Sequence, residues 1–312
     1  MKMKAQSIQT LYQNIETDVG ILQDEGVAHL TVDLNEVLSS RVVPGLVLDV
    51  TELKDGIKAH MIVEEGTKID KTVHMCFGVI AKEGVQKIIL HIDIEKNAKI
   101  DLLAHCIFPN AVNLEHIMDA EITIQDGAEY SYLEKHVHGP TGGIKVFPTA
   151  KVTMGKNARF KSEFELVRGR VGLIDINYET ICGPESVLEM TARINGKGDD
   201  TIKIKEIGHL AGEYSRGALT TRVALQDTAT AEVFNKLTAT AAYARGHVDC
   251  KEIIQDNAVA TAIPIVEVNH PKAHVTHEAA IGSVDSKQLQ TLMSRGLTED
   301  DAVDLIIEGL LE

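Results

Sequence analysis

Long stretches of this chain alternate apolar and polar residues with a period of two, which is the pattern of a strand with one buried face. Lys87-Ile-Ile-Leu-His-Ile-Asp-Ile and Ala120-Glu-Ile-Thr-Ile are examples, and the pattern holds from about Leu46 to Gly282. Turn signals punctuate it at Gly139-Pro140, Gly142-Gly143, Gly183-Pro184 and Gly196-Lys-Gly198. No helical pattern of ten or more residues interrupts it, which argues against alternating β and α elements.

One turn recurs. Gln125-Asp-Gly-Ala128, Gly155-Lys-Asn-Ala158, Gln226-Asp-Thr-Ala229 and Gln255-Asp-Asn-Ala258 are versions of it, and Glu95-Lys-Asn-Ala98 and His270-Pro-Lys-Ala273 are weaker copies. The alanines lie 30, 30, 71, 29 and 15 residues apart, a period near 30 with a half-period near 15. A polar turn repeated at fixed spacing before short strands predicts a β-solenoid, in which residues about one period apart lie one above the other.

The ends differ from this middle. Residues 1–45 predict a small mixed α/β cap: Ile8, Leu11 and Ile15 have helical spacing, and Leu34 to Leu38 could add a short turn of helix. Residues 46–282 form the predicted β core. Residues 283–312 predict two helices. Ser286 would cap the first, Leu289, Leu292 and Met293 share its apolar face, and Gly296 fits the left-handed position after it. Thr298 would cap the second, with Glu299, Asp300 and Asp301 at its positive end and Ala302, Leu305, Ile306, Gly309 and Leu310 as its apolar stripe. A pair this short has no core of its own, so it must cover the solenoid end, pack elsewhere on the solenoid or bind a partner.

Composition narrows the function. Of 312 residues 44% are hydrophobic but only 4% aromatic, which suits a narrow interior filled by aliphatic side chains. A net charge of -15 disfavours nonspecific binding to nucleic acid or anionic lipid. No apolar run is long enough for a membrane helix, and the N-terminal residues do not read as a secretory signal, so a cytoplasmic protein is expected. The four cysteines include no CxxC and are neither a disulfide framework nor a structural zinc site. No phosphate-binding glycine loop and no GxSxG is present, so nucleotide hydrolysis by this chain alone is not expected.

Three groups of residues could carry chemistry. Cys250 could be a small buried hydrophobe. One period later, however, lie His277 and Glu278, and a thiolate, an imidazole and a carboxylate together suit iron or zinc. One period earlier lies Arg222, which would lower the thiol pKa if within reach. His270, His274 and Glu278 would share one strand face and His277 the other, although a solvated polar strand explains them equally well. Glu134, His136 and His138 alternate onto a single face, a spacing competent for metal but also common on exposed strands. Cys76, Cys106 and Cys182 sit in apolar contexts and read as buried structural cysteines.

The run from Pro264 to Ala280, PIVEVNHPKAHVTHEAA, resembles the end of the SufB/SufD core domain, and residues 285–309, containing SRGLTEDDA, resemble its helical tail. The resemblance implies a right-handed parallel β-helix that pairs as a homodimer and serves as a scaffold for iron–sulfur cluster assembly, not an enzyme. It implies that the tail docks a SufC-type ABC ATPase, which hydrolyses the ATP, through Leu289, Leu292, Met293, Leu305, Ile306 and Leu310. Sulfur and iron would come from donor proteins, and the cluster would be transient. A flavin is compatible with the family but follows from no residue of this chain. Cys250 falls in the region of the essential SufB cysteine, and His277 and Glu278 match the family's H-E-A. SufD-type subunits lack that cysteine and that glutamate, so the resemblance is to SufB, in a short form.

There are departures. Thr276 stands where an acidic residue often precedes the histidine, and the upstream SufB cysteine with its neighbouring glutamine and tryptophan has no match. Glu134 or His136 would substitute there. The cysteine-rich N-terminal region of longer SufB chains is also absent. The competing expectation is a SufD-like subunit that binds the ATPase and carries no cluster. A pectate-lyase-like enzyme is disfavoured by the scarcity of aromatic residues and by the helical tail.

Overall fold

The computed structural model describes residues 2–15 and 19–311; Met1, residues 16–18 and Glu312, which fall within the predicted cap and tail, lie outside the described residues. The chain opens with α1 (Lys2–Asn14) and a short 3-10 turn, Val19–Gln23. Strands β1 (His29–Asp33), β2 (Glu36–Arg41), β3 (Leu46–Leu53), β4 (Gly56–Val63), β5 (Val73–Gly78) and β6 (Glu83–Ile94) follow. Next come β7 (Lys99–Phe108), β8 (Asn113–Ile124), β9 (Glu129–His138), β10 (Ile144–Met154), β11 (Arg159–Arg168) and β12 (Leu173–Cys182). The remaining strands are β13 (Val187–Gly196), β14 (Thr201–Leu210), β15 (Arg216–Leu225), β16 (Thr230–Ala239), β17 (Arg245–Ile254), β18 (Val259–Val268) and β19 (His274–Gly282). Helices α2 (Ser286–Met293) and α3 (Glu299–Leu311) end the chain.

The strands form a β-solenoid of about eight turns. One ten-stranded sheet runs β2-β1-β5 and then through every odd strand to β19, and a nine-stranded sheet runs β3-β4 and then through every even strand to β18. Each coil therefore contributes one strand to each sheet. Successive coils pair in parallel, and the antiparallel pairs β1–β2 and β3–β4 close the beginning. Cys106 opposes His136, Arg159 opposes Val187, Thr221 opposes Cys250 and Gly56 opposes Lys87, so these rungs are 28 to 31 residues, near the period of the repeat. The inward rows are mostly Ile, Val, Leu, Met and Ala from both sheets in one continuous core. Each such Ile or Leu contributes roughly 1.5–3 kcal/mol on burial.

The recurring turn has a steric cause. Asn97 (φ 57), Gly127 (φ 68), Asn157 (φ 54), Asp227 (φ 59) and Asp256 (φ 56) occupy the left-handed region, where Gly, Asn and Asp are least penalised. The alanine that ends each of these five turns is buried against the core. The gap of 71 residues between Ala158 and Ala229 hides further copies. Glu185 (φ 59) and Tyr214 (φ 60) within it, and Tyr243 (φ 61) beyond it, take the same conformation. The small residue is Ser186 or Ser215 in the first two, each buried, with its hydroxyl donating to the Gly183 or Gly212 carbonyl at 2.7 Å.

Two local expectations change. Leu34 to Leu38 is not helical: Leu34 adopts φ 56 in the tight turn between β1 and β2, and β2 begins at Glu36. The cap of α2 is Asp285 rather than Ser286, its carboxylate accepting from Gln288 N at 2.8 Å. Gly296 (φ 100) follows α2 as expected, and Thr298 Oγ1 accepts from Asp301 N at 3.2 Å at the start of α3.

The helical pair does not cover the last rung. Helix α3 buries Ile307 and Leu311, with Val303, against the outward Ala224 of β15, so it lies along the flank of the solenoid. Its buried stripe is thus Ala302, Val303, Ile307 and Leu311, rotated from the predicted one, because a small outward residue on β15 provides the seat. Leu305 and Met293 are exposed, while Leu289, Leu292, Ile306 and Leu310 are half-buried. Among the described residues no helix is long and apolar enough to cross a membrane.

Candidate functional site

Two polar clusters interrupt the aliphatic interior. The first is built on β7 and β9. Parallel registry sets Cys106 directly beside His136, and alternation along β9 turns Glu134, His136 and His138 inward together. His116 of β8 reaches them from the opposite sheet. All five side chains are essentially buried. Cys106 Sγ lies 3.7 Å from His116 Nε2 and 3.9 Å from Glu134 Oε1, and Glu134 Oε1 lies 2.8 Å from His136 Nε2.

The hydrogen bonds around this cluster fix its proton positions. Gln86 Nε2 donates to the carbonyls of Leu34 (2.9 Å) and Gly78 (3.0 Å), so Gln86 Oε1 accepts from His116 Nδ1 at 2.9 Å. His116 therefore carries its proton on Nδ1 and turns the Nε2 lone pair toward Cys106. His138 Nδ1 donates to the Arg170 carbonyl at 3.2 Å, which leaves His138 Nε2 to accept from His136 Nδ1 at 3.0 Å. His136 Nε2 and Glu134 Oε1 thus share one proton. Glu134 Oε2 accepts from Tyr132 (2.9 Å) and Tyr178 (3.3 Å).

Burial, with the charge of Glu134, pushes the Cys106 thiol well up, and burial pushes His116 and His138 well down, so all three are neutral. Phe108 packs against His116 and His138, and Phe164 against His136, closing the cluster with rings. The ligand atoms of Cys106, Glu134 and His136 all lie within 4.8 Å of one another, close enough to hold a metal ion.

The second cluster surrounds Cys250 on β17. Its thiol is buried, accepts weakly from Asn235 Nδ2 at 3.6 Å and stands beside Thr221, one rung back. Glu252 on the same strand and Glu206 on β14 also point inward and are buried. Burial, Glu252 and Glu206 push the Cys250 thiol up to about 12. Arg222 does not lower it: alternation turns Arg222 outward, where it pairs with Asp249 and donates to the Thr221 carbonyl at 3.0 Å.

One rung after Cys250 comes β19. Val248 opposes His277, Asp249 opposes Glu278 and Cys250 opposes Ala279. His277 therefore shares the inward face with Cys250, displaced by two residues, whereas Glu278 faces outward and lies 3.7 Å from Lys251 Nζ. His274 also faces outward, opposite Arg245, and His270 lies in the turn before the strand. β19 belongs to the last coil, and almost every residue in it is exposed.

The family described as "SUF system FeS cluster assembly, SufBD core domain" matches residues 79–310. The chain belongs to the SufBD family. It is similar to an iron–sulfur cluster assembly SufBD family protein of Methanocaldococcus jannaschii, 40% identical over 86% of this chain and 84% of that protein. A SufBD family protein of Pyrococcus horikoshii is 34% identical over 91% of this chain and 87% of its own length. The iron–sulfur cluster assembly protein SufB of Bacillus subtilis is 24% identical over 80% of this chain and 54% of its own length. The chain is thus a SufBD protein of the iron–sulfur cluster assembly system, and the family resemblance drawn from its C-terminal third extends over the core.

Of the residues read from the sequence of this SufBD chain, the structure gathers Glu134, His136 and His138, and it sets Cys250 and His277 on adjacent rungs. It turns Glu278 and His274 to the other face. The sequence reading missed Cys106 and His116 as members of the first cluster. A signal for Cys106 was present, since one period added to it lands on His136. It also missed Glu206 and Glu252, charged residues at inward, otherwise apolar phases of their strands.

Proposed function

We propose that this chain is a scaffold subunit on which an iron–sulfur cluster is assembled as cargo, working as a homodimer with a SufC-type ABC ATPase. The observation that carries the reading is the uncovered last rung. Among the described residues, strands β18 and β19 end their sheets without a further partner, and helix α3 lies on the flank instead of across them. An open strand edge is a surface for pairing, here with the same rung of a second copy.

The donor set points the same way. The four cysteines are buried on separate rungs, and Cys250 is the cysteine one rung below the free edge. A cluster needs about four protein ligands, and imidazole can replace thiolate. Two copies meeting at this edge would supply two Cys250 thiols and two His277 imidazoles. The outward Glu278 would serve as a ligand only after rotation of its side chain or from the opposing copy.

A thiol raised to about 12 binds iron only after deprotonation, so the last rung must open to release Cys250. ATP-driven movement transmitted through α2 and α3 is a means of opening it, with Met293, Leu305 and the half-buried Leu289, Leu292, Ile306 and Leu310 as the docking face. Sulfur and iron come from donor proteins. The burial of Cys250 also favours a second reading, a SufD-like subunit that carries no cluster.

Anaerobic reconstitution with ferrous iron and sulfide separates the two. The full chain is expected to retain both, and Cys250→Ala to lose its acid-labile sulfide while keeping its elution volume. Iron and sulfide unchanged in Cys250→Ala, or absent from the parent chain, overturns the scaffold reading. Removing residues 286–312 is expected to abolish co-purification with the cognate ATPase without loss of the β signature in circular dichroism.

A further inference from the structure

The Cys106 cluster lies deep inside the solenoid, many rungs from the edge used by the proposed scaffold. We propose that Cys106, His116, Glu134 and His136 form a separate site for one borderline divalent cation of the Zn(II) or Fe(II) class. The set is one thiolate, one carboxylate and two imidazoles, which suits such ions in tetrahedral coordination.

What distinguishes this cluster from an ordinary buried network is the way its outer bonds are committed. His116 Nδ1 is held by Gln86, His136 Nδ1 by His138, and Glu134 Oε2 by Tyr132 and Tyr178. Each ligand thereby has one remaining donor atom, and these atoms converge on Cys106 Sγ or on one another. Outer partners that fix tautomer and orientation in this manner are a property of metal sites. Gln86 is in turn anchored to two backbone carbonyls, and His138 to a third.

Cys106, Glu134 and His136 already present ligand atoms within 4.8 Å of one another, whereas His116 Nε2 stands outside that group, beside Cys106 Sγ, and must move inward to complete the set. A tetrahedral ion with bonds of about 2.0–2.3 Å sets its ligands roughly 3.3–3.8 Å apart. The Sγ···Nε2 separation of 3.7 Å and the Sγ···Oε1 separation of 3.9 Å are already close to this. The Glu134–His136 contact of 2.8 Å must open by about half an ångström.

Charge balance makes a dication tolerable in an apolar interior. Without metal the site is neutral: a thiol, a neutral His116, and one proton shared by Glu134 and His136. Binding expels the thiol proton and the shared proton to solvent, and a divalent ion with one thiolate and one carboxylate is again neutral. No buried net charge is created, which removes the main cost of placing an ion there. Because rings and strands enclose the cluster, uptake is expected during folding rather than afterwards.

Cobalt(II) is the probe. The full chain, stripped by chelator in denaturant and refolded anaerobically with cobalt, is expected to retain one ion per chain, with a thiolate-to-cobalt charge-transfer band and tetrahedral visible bands. Cys106→Ala should lose the charge-transfer band, and Cys250→Ala should keep it. A variant with Cys76, Cys182 and Cys250 all changed to Ala retains Cys106 as its sole cysteine and should still show the band, a positive result that does not depend on the folding of Cys106→Ala. The proposal is overturned if the refolded parent chain, folded by circular dichroism, takes up no cobalt. It is also overturned if the band survives in Cys106→Ala or disappears in the sole-cysteine variant while that variant remains folded.

Discussion

Glu206→Gln is expected to raise the stability of the protein at pH 8 and to change it little at pH 5. Glu206 points inward from β14, is essentially buried, and its Oε2 has no hydrogen-bond partner among the described residues. Burial pushes its carboxyl from 4.5 up to about 8. The folded state therefore holds a proton that the unfolded chain releases near pH 4.5. The stability linked to this group is complete below that pH and is lost progressively as pH rises toward 8.

At about 1.4 kcal/mol for each pH unit, the loss is on the order of 3–5 kcal/mol. Glutamine keeps the shape and removes the titration, so the variant should be flatter between pH 5 and 8. A smaller slope remains from Glu252, raised to about 7 by burial. Urea unfolding at pH 5, 6, 7 and 8 measures this. Parallel pH profiles for parent and variant would show that Glu206 is not held protonated in the folded state.

What could be read in the sequence follows from how tightly each feature constrains residue type. The solenoid was legible because a left-handed turn position accepts few residues without cost, so Asn97, Gly127 and Asn157 recur at a fixed interval. The copies at Glu185 and Tyr214 were not, because neighbouring rungs hold those backbones left-handed and a serine hydroxyl replaces the buried alanine methyl. Within a sheet, neighbours were legible by adding one rung, which joins Cys106 to His136 and Cys250 to Ala279. His116 was not, because it comes from the opposite sheet, and its phase relative to β7 depends on the lengths of the connecting loops. Parity decided the rest: a shift of one residue separates the inward His277 from the outward Glu278. The seat of α3 on Ala224 was beyond pattern reading, since it depends on one small outward residue meeting a helix from a distant part of the chain.

Asp200→Ala is expected to cost about 3–5 kcal/mol, the range for breaking a buried charged pair and leaving its partners unsatisfied. Asp200 lies in the turn before β14 and is fully buried. Its Oδ1 accepts from Arg170 Nε (3.2 Å), Arg170 Nη2 (2.9 Å) and Gly172 N (3.1 Å), and its Oδ2 accepts from Lys197 N (3.0 Å). Alanine leaves two backbone N–H groups without an acceptor and a guanidinium without its buried partner, although the exposed Asp199 still pairs with Arg170. The damage reaches the interior cluster, because the Arg170 carbonyl is the acceptor that fixes the tautomer of His138 and, through it, the orientation of His136. Asp200→Asn retains one acceptor but directs an amide at Lys197 N or Arg170, so its cost should fall between parent and alanine. Urea unfolding reads the stability, and the nitrogen chemical shift of His138 Nδ1 reads the tautomer. If Asp200→Ala unfolds within about 0.5 kcal/mol of the parent, a typical effect for surface substitutions, the turn is not held by this carboxylate and the chain of bonds from Asp200 to Glu134 is not mechanically connected.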